Sequence, residues 1–165
     1  MSANDPIVTD IAVVPFETRH APVFRALNIA WVERYFGTVE DKDYYLLDDP
    51  QGRIINKGGV VLIAEDQSGH GVGCVALVAG DDNELELAKM AVADEYQGRG
   101  VGRMLMEAAI AKGRDLGARA LYLESNSSLK PALTLYEKAG FQHLPAEERP
   151  QSPYMRCDVY MRLEF

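Results

Sequence analysis

Residues 84–116, ELELAKMAVADEYQGRGVGRMLMEAAIAKGRDL, combine a strand, a glycine-rich turn and an amphipathic helix in direct succession. The apolar run at 85–92 predicts the strand, and three glycines follow within residues 97–102. Gly117 is predicted to end the helix. The helix is indicated by apolar side chains that recur at helical spacing, at Val101, Leu105, Ala108, Ala109, Lys112 and Leu116. Lys112 contributes to this stripe through the aliphatic part of its side chain.

The glycine-rich turn predicts an anion site. Glycines allow positive φ and a close approach of another molecule to the main chain. A helix that starts there directs its unpaired N–H groups and its positive dipole end outward, which suits a phosphate or pyrophosphate. Arg99 and Arg103 add positive charge, and residues 97–103 contain no acid. A turn that binds nothing would explain one glycine better than three.

The kind of phosphate ligand follows from the motif. A dinucleotide fingerprint fails because Arg103 stands where its third glycine is needed, and no P-loop string occurs. The turn instead resembles the acyl-CoA signature of the GNAT superfamily of N-acetyltransferases, [Q/R]-x-x-G-x-[G/A]. It is formed by Gln97, Gly98, Arg99, Gly100, Val101 and Gly102. The string LYEKAGF at 135–141 resembles a second hallmark of that family.

The resemblance implies an α/β (α+β) fold with a mixed, largely antiparallel sheet that is splayed between its fourth and fifth strands. The chain predicts the matching order β-α-α-β-β-β-α-β-α-β-β within a single domain, residues 1–165. Its first helix is expected from Thr18 to about Tyr35, and residues 51–59 as a loop. We expect that helix to bury one face, made of Phe24, Leu27, Ala30, Trp31 and Tyr35.

In that family acyl-CoA lies in the splay and pairs with the fourth strand as an added strand would. The resemblance assigns these backbone contacts to Met90, Ala91 and Val92, and the pyrophosphate contacts to residues 97–103. Many members carry an asparagine where this chain has Leu129. Asn126 is therefore a candidate contact to the CoA arm, although a helix-capping role fits it equally well.

Two residues are candidates for the chemistry. The family's hallmark places Tyr136 near the thioester sulfur, both as a CoA contact and as a general acid, whereas the alternative is a core aromatic. Glu86 lies eleven residues before Gln97, which is the spacing of the catalytic glutamate in histone-type members. An acid among apolar neighbours can have the raised pKa that suits a base. Strand alternation would put Glu86, Ala88, Met90 and Val92 on one face unless a bulge intervenes, and a pairing of Glu86 with Lys89 is equally open.

The acceptor is expected to be a small-molecule or peptide amine. We expect it to be cationic because the segment that lines the acceptor site in this family is acidic in this chain. Residues 33–49 hold six acids against Arg34 and Lys42, although a solvated helical face explains them equally well. Tyr154 and Arg156 are interpreted either as specificity residues or as loop anchors. The six acids are Glu33, Glu40, Asp41, Asp43, Asp48 and Asp49.

Composition limits the remaining classes. A net charge of −8 argues against nucleic-acid binding. Cys74 and Cys157 are predicted to be reduced core residues of a cytoplasmic protein, and residues 1–10 lack a signal peptide pattern. No apolar run suits a membrane span. The three histidines have no ligand spacing, which predicts surface positions and no metal.

The overall prediction is an acetyl-CoA-dependent N-acetyltransferase that acts by direct attack in a ternary complex. One alternative is a non-catalytic domain that senses acyl-CoA or docks a partner. Another is an acyltransferase that uses a longer acyl-CoA. A homodimer is compatible with the resemblance, because dimers are common in the family.

Overall fold

The computed structural model describes residues 10–149, 152, 154 and 156–165; the N-terminal segment interpreted above lies largely outside them. The strands are β1 Ala12–Pro15, β2 Val60–Glu65, β3 Gly71–Ala79, β4 Glu84–Val92, β5 Ala120–Ser125, β6 Gln142–His143 and β7 Val159–Glu164. The helices are α1 Ala21–Phe36, α2 Asp41–Leu47, α3 Pro50–Arg53, α4 Val101–Asp115 and α5 Lys130–Lys138.

All seven strands form one sheet in the order β1-β2-β3-β4-β5-β7-β6. Every neighbouring pair is antiparallel except β4 and β5, which are parallel. The parallel pair is joined by α4, since parallel neighbours need a crossover that is usually a helix. This mixed, largely antiparallel sheet confirms the predicted fold, and the order of elements matches the prediction except for the additional short helix α3.

The sheet has an apolar core on each face. One core lies beneath α4 and α5 and includes Leu105, Leu121 and Met161. The other lies beneath α1 and α2 and includes Phe24, Ile63 and Cys74. Because β4 contributes side chains to both cores, any irregularity in its alternation changes which side chains reach which face.

The predicted buried face of α1 was partly wrong. Phe24, Asn28 and Val32 are buried, whereas Ala30 is exposed and Tyr35 is 42% exposed. Asn28 can be buried because its amide donates to the carbonyl of Phe24 at 2.9 Å and to Cys74 Sγ at 3.3 Å. The buried stripe therefore runs through residue 28, a polar position that hydrophobic periodicity does not predict.

Three other boundaries and faces differ from prediction. A 3₁₀ turn at Thr18–His20 precedes α1, and residues 51–59 contain α3 and the 3₁₀ turn Ile55–Lys57 rather than a plain loop. At the end of α4, Leu116 is 46% exposed. Gly113 is buried there instead. The helix packs so closely at this point that a Cβ on residue 113 would lie 3.0 Å from Leu121 and 3.2 Å from Phe165.

Candidate active site

The sheet opens between β4 and β5. Their ladder joins only residues 84–86 of β4 to residues 120–122 of β5. Beyond Glu86, β4 continues on β3 as far as Val92, and β5 continues on β7 as far as Ser125. The facing edges of residues 87–92 and 123–125 therefore diverge, and among the described strands neither edge is paired there. Backbone groups at such a gap are available to a ligand.

A bulge interrupts β4 within this gap. Cys74 faces Ala91 and Ala76 faces Ala88, so residues 89 and 90 together oppose Val75. Lys89 has a φ of +55°, which is unusual for a residue with a side chain. The bulge leaves the carbonyl of Lys89 outside the ladder, where the Cys74 thiol donates to it at 3.3 Å.

The bulge corrects the predicted face of β4. Leu85 and Leu87 lie in the core beneath α4, and Met90 and Val92 pack against that same core. Ala91 lies in the core beneath α1. Strict alternation would have kept Met90 and Val92 on the face of Glu86, but the extra residue moves them to the opposite face.

A cavity fills the gap between the strands and holds about 800 Å³ of empty space, part of it open to solvent. Its walls include residues of β4, β5, α1, α2 and α5. Four residues predicted as catalytic or CoA-binding line it together: Glu86, Met90, Asn126 and Tyr136. Tyr154 and Arg156, the candidate specificity residues, line it as well. Ala91 and Val92 are not among its lining residues, although they continue the open edge of β4.

Glu86 is the last β4 residue in the ladder to β5, and its side chain reaches the cavity. The pKa of Glu86 is raised to about 7, mainly by burial and also by the carboxylate of Glu124, while the ammonium of Lys89 opposes both. A carboxyl group with this pKa is half ionised at neutral pH, so it can accept a proton there and release it again.

Tyr136 reaches the same cavity from α5. Its ring is 9% exposed and meets Phe141 edge-on, with ring centroids 6.2 Å apart. Burial raises the pKa of Tyr136 to about 12, so the hydroxyl stays protonated at physiological pH. Among the described residues, no group hydrogen-bonds to this hydroxyl, so it is available as a donor.

The glycine-rich turn leads into α4 as predicted. Gly98 and Gly100 have φ values of +74° and +83°, and Gly100 is the N-cap residue. The first turn of α4 contains no acid, and the first intrahelical hydrogen bond runs from the amide of Met104 to the carbonyl of Gly100. The amides of Val101, Gly102 and Arg103 therefore stay outside the helical ladder, which is the arrangement that binds anions.

The polar residues of this turn already have protein contacts. Gln97 donates to the carbonyl of Val92 at 3.2 Å and so ties the turn to the end of β4. Arg99 stacks on Tyr96 at 4.7 Å, and Arg103 pairs with Glu107 at 2.9 Å. The main-chain amides are therefore better suited than the two arginines to carry specific contacts to an anion.

Comparison with known proteins assigns this architecture. The model of the acetyltransferase (GNAT) family matches residues 24–141. This chain belongs to the GNAT acetyltransferase family. An uncharacterised N-acetyltransferase of Escherichia coli K12 is 30% identical over 122 residues, which are 70% of this chain and 73% of the relative. One of Schizosaccharomyces pombe is 31% identical over 130 residues, 78% and 76% of the two chains.

Solved GNAT structures share the fold. One from Staphylococcus aureus Mu50 superposes with a TM-score of 0.85 at 18% identity, over 93% of this chain and 98% of that one. Another, from Brucella melitensis in complex with acetyl-CoA, gives 0.70 at 18% identity, over 94% and 88%. By family, the protein described here is an N-acetyltransferase and thus an acyl-transferring enzyme.

Asn126 lines the cavity of this acetyltransferase, but its side chain is already engaged. The amide donates to the carbonyl of Arg156 at 2.5 Å. The amide oxygen accepts from the backbone and the hydroxyl of Ser128, at 2.8 and 2.6 Å. These bonds shape the turn before α5 but do not cap the helix, because its N-cap residue is Leu129 and no side chain makes a capping bond there. The helix-capping alternative was therefore wrong. Contact between Asn126 and CoA stays a prediction.

An ion cluster closes the cavity on the side of α2. Asp43 is fully buried and accepts two hydrogen bonds from Arg156, at 2.5 and 3.1 Å. Burial alone would raise the pKa of Asp43, but these bonds outweigh it and the pKa is lowered. Arg156 also donates to Glu40 at 3.0 Å and lies over the rings of Phe36 and Tyr154. Arg156 was a candidate from the sequence, but its pairing with Asp43, 113 residues away, was not predicted.

The acids of residues 33–49 are largely used within the fold. Glu40 and Asp43 bind Arg156, and Asp48 pairs with Arg25 at 3.0 Å. Asp49 accepts from the amide of Gly52 at 2.9 Å and caps α3. The overall acidity of this segment is therefore a weaker argument for a cationic acceptor than the sequence suggested. Glu86 and Glu124 in the cavity are the more direct one.

The surface prediction for the histidines was wrong at His20. This residue is 2% exposed, its Nε2 lies 2.8 Å from Glu65, and its Nδ1 accepts from the backbone of Glu17 at 2.9 Å. It joins α1 to the first hairpin and lies outside the cavity. His70 and His143 are exposed.

The described residues offer neither a metal cluster nor a membrane-spanning helix. No group of three His, Cys, Asp or Glu side chains has a geometry suited to a metal ion. No helix in that part of the chain combines the length and apolarity that a bilayer crossing requires.

Proposed function

We propose that this acetyltransferase moves the acetyl group of acetyl-CoA to a primary amine by direct attack in a ternary complex. The observation that carries the proposal is the meeting of Glu86 and Tyr136 in one cavity where β4 and β5 part. A group of pKa about 7 and a protonated hydroxyl thus reach the same space from different walls. The acetyl-CoA complex of the Brucella melitensis neighbour supports the choice of donor.

The binding surface fits the donor. The turn at 97–103 offers main-chain amides and the positive end of α4 for a pyrophosphate. The open edge of β4 offers backbone donors and acceptors that suit the amides of a pantetheine arm. We assign these contacts to Met90, Ala91 and Val92 in the strand and to residues 97–103 in the turn.

In the proposed reaction, Glu86 takes the proton of the acceptor ammonium, directly or through water, and so frees the nitrogen lone pair. The nitrogen attacks the thioester carbon, while a backbone N–H of the open β4 edge polarises the carbonyl. The new C–N bond forms as the C–S bond breaks. The Tyr136 hydroxyl donates to the departing sulfur. After the attack the nitrogen loses its second proton, which ends on the thiolate with Tyr136 as the relay, so that CoA leaves as the thiol and the Tyr136 hydroxyl is restored. Acetylated amine and CoA are the products, and the first proton of the ammonium leaves through Glu86.

We infer that the acceptor amine is cationic before it reacts, since Glu86 and Glu124 can both stabilise an ammonium group. We also infer a cytoplasmic setting. Cys74 and Cys157 are both free thiols, which suits a reducing compartment.

The test is release of free thiol when the protein, acetyl-CoA and a broad panel of primary amines are combined. We expect turnover with at least one amine and none when both Glu86→Gln and Tyr136→Phe are present. Acetyl-CoA that raises the melting temperature without turnover on any acceptor would favour a sensor. Faster turnover with a longer acyl-CoA would change the donor but not the reaction.

The glycine turn gives a prediction about CoA affinity. Gly100→Ala should raise the Kd for CoA at least tenfold, because Gly100 opens the turn that presents the free amides. Its φ of +83° makes a side chain strained by roughly 1–2 kcal/mol, although no atom stands within 4 Å of the added Cβ. Calorimetric titration with CoA measures the effect.

Gly117→Ala is the matched control. Gly117 follows the other end of α4, has a φ of +74° and also has open space around its Cβ. Both variants should lose similar stability, but only Gly100→Ala should lose CoA affinity. Gly102→Val provides a second probe, since its Cβ would meet only Leu135, at 3.6 Å. Full CoA affinity in a folded Gly102→Val protein would move the pyrophosphate away from this turn.

A further inference from the structure

Lys89 enters the active-site cavity because of the bulge in β4. In a regular strand, residues 86 and 89 point to opposite faces of the sheet. The extra residue at 89–90, with Lys89 at a φ of +55°, removes that separation. Lys89 and Glu86 therefore line the same cavity. Strain of this kind in a residue with a side chain is concentrated at functional sites.

The ammonium group of Lys89 is deeply buried but poorly paired. Its side chain is 10% exposed. Its nearest oxygens are Asp43 Oδ1 and the Tyr154 hydroxyl, both 3.4 Å from Nζ. Charge-assisted hydrogen bonds normally measure about 2.7–2.9 Å. Asp43 cannot serve Lys89 fully, because Arg156 already holds both of its oxygens at 2.5 and 3.1 Å.

The other cation of the cavity differs in this respect. Arg156 has three hydrogen bonds to Asp43 and Glu40, of 2.5–3.1 Å. Both cations lie over the Tyr154 ring, Arg156 at 4.5 Å and Lys89 at 5.3 Å from its centroid, so the difference is in the hydrogen bonds alone. Within the described chain, Lys89 has no acceptor at a normal distance, so one strong bond is left to be made. Burial lowers the pKa of Lys89, and an incoming anion would favour its charged form.

We propose that Lys89 binds a carboxylate of the acceptor, and that the acceptor is a small amino acid-type molecule with a primary amine and a carboxylate. This inference rests on the proposed function, since Glu86 would receive the amine of the same molecule. Glu86 and Lys89 line the same cavity and carry opposite charges when ionised. That pattern matches a zwitterion, whereas a polyamine would set a second cation against Lys89.

The cavity also favours an apolar side chain on such an acceptor. Trp31, Phe36 and Leu47 line it beside the ion cluster. The twenty amino acids are therefore the first panel. For each substrate found, the matched decarboxylated amine and the matched amide isolate the contribution of the carboxylate, as in phenylalanine, phenethylamine and phenylalaninamide. A preference for the amide would indicate a peptide-like acceptor instead.

The decisive variant is Lys89→Met, which keeps the length of the side chain and removes its charge. We expect kcat/KM for the amino acid to fall about 10- to 100-fold, mainly through KM, because a charged hydrogen bond contributes about 1.5–3 kcal/mol. Removal of the Lys89 charge should raise the pKa of Glu86 and slow all substrates alike on the acidic limb, so the comparison is made on the plateau at higher pH. There, turnover of the decarboxylated amine and the KM for acetyl-CoA should change little. Lys89→Arg should restore part of the loss.

Lys42→Met is the matched control. The Nζ of Lys42 lies 5.8 Å from the centre of the same Tyr154 ring that Lys89 contacts, but Lys42 is exposed to solvent. It should leave the ratio of amino acid to amine turnover unchanged. A melting curve for each variant separates loss of recognition from loss of fold.

Three results would overturn the inference. The first is a wild-type enzyme that uses amine, amide and amino acid equally well, and the second is a Lys89→Met enzyme impaired equally on all three. The third applies if nothing in the panel is acetylated: calorimetry on the CoA complex then shows no amino acid binding that depends on Lys89. In the first two cases the turnover of simple amines leaves the proposed function standing, and in the third case the broad panel of primary amines decides that function separately. Failure of acetyl-CoA to bind at all would overturn both.

Discussion

Tyr136→Phe should lower kcat about 100-fold or more while leaving the Kd for acetyl-CoA nearly unchanged. The substitution removes one oxygen and keeps the ring that packs against Phe141. General acid catalysis contributes roughly 10²–10⁴-fold. We expect the low end, because a thiol ordinarily titrates near pH 8.5 and its anion leaves readily. Single-turnover measurement of thiol release at saturating acceptor gives kcat directly.

The raised pKa refines what Tyr136 can do. A hydroxyl whose pKa is about 12 gives up its proton reluctantly to a thiolate, so it stabilises the developing negative charge mainly as a hydrogen-bond donor. It also stays protonated throughout the usual assay range. The kcat of the wild-type enzyme should therefore show no loss assignable to Tyr136 between pH 7 and pH 10.

Phe141→Leu is the control for packing. It disturbs the contact with the same ring but leaves the hydroxyl in the cavity. It should lower the melting temperature and retain most of kcat, the opposite of Tyr136→Phe. If Tyr136→Phe keeps full kcat, the residue belongs to the core and has no acid role.

The parts of the site that were predicted from sequence are those built from local contacts. The turn at 97–102 needs its glycines for its own backbone, since Gly98 and Gly100 have positive φ. The helix that follows begins next to them.

The parts that were missed depend on partners far away in the chain. The bulge in β4 exists because Cys74, fifteen residues earlier, accepts Asn28 and donates to the freed carbonyl of Lys89. Asp43 meets Arg156 across 113 residues, and His20 meets Glu65 across 45. Periodicity within a segment contains no information about such pairs. Lys89 was consequently weighed as a partner of Glu86 and not as a ligand for the acceptor.

Glu86→Gln should reduce kcat/KM most strongly near pH 7, by about 100-fold, since a base of pKa about 7 is most valuable where the amine is still protonated. At pH 9 more of the amine is free without help, so the difference from wild type should narrow. The wild-type kcat/KM should rise with pH and reach a plateau above pH 7, as Glu86 ionises.

The same substitution has an opposite effect on stability, which separates chemistry from folding. The pKa of Glu86 is raised in the folded protein above its ordinary value of 4.5, so folding favours the protonated form. The wild type is therefore destabilised as pH rises from about 4.5 to about 7, and this penalty persists above pH 7. Glu86→Gln removes the penalty and should raise the melting temperature at pH 8 but not at pH 4. Each kcal/mol corresponds to about 2–4 °C for a domain of this size.

Glu124→Gln is the informative neighbour because it acts on Glu86 through charge alone. The carboxylate of Glu124 helps to raise the pKa of Glu86, and Lys89 and burial set the rest. Removing the Glu124 charge should shift the acidic limb of kcat/KM to lower pH without abolishing turnover. Ser152 donates to Glu124 at 2.8 Å, and a glutamine at position 124 keeps an oxygen that can accept from that hydroxyl.

The pH profile of Glu86→Gln decides the role of Glu86. If this variant is slower than the wild type by the same factor at every pH, Glu86 binds the acceptor. If its rate and pH profile are unchanged, Glu86 has no part in the mechanism.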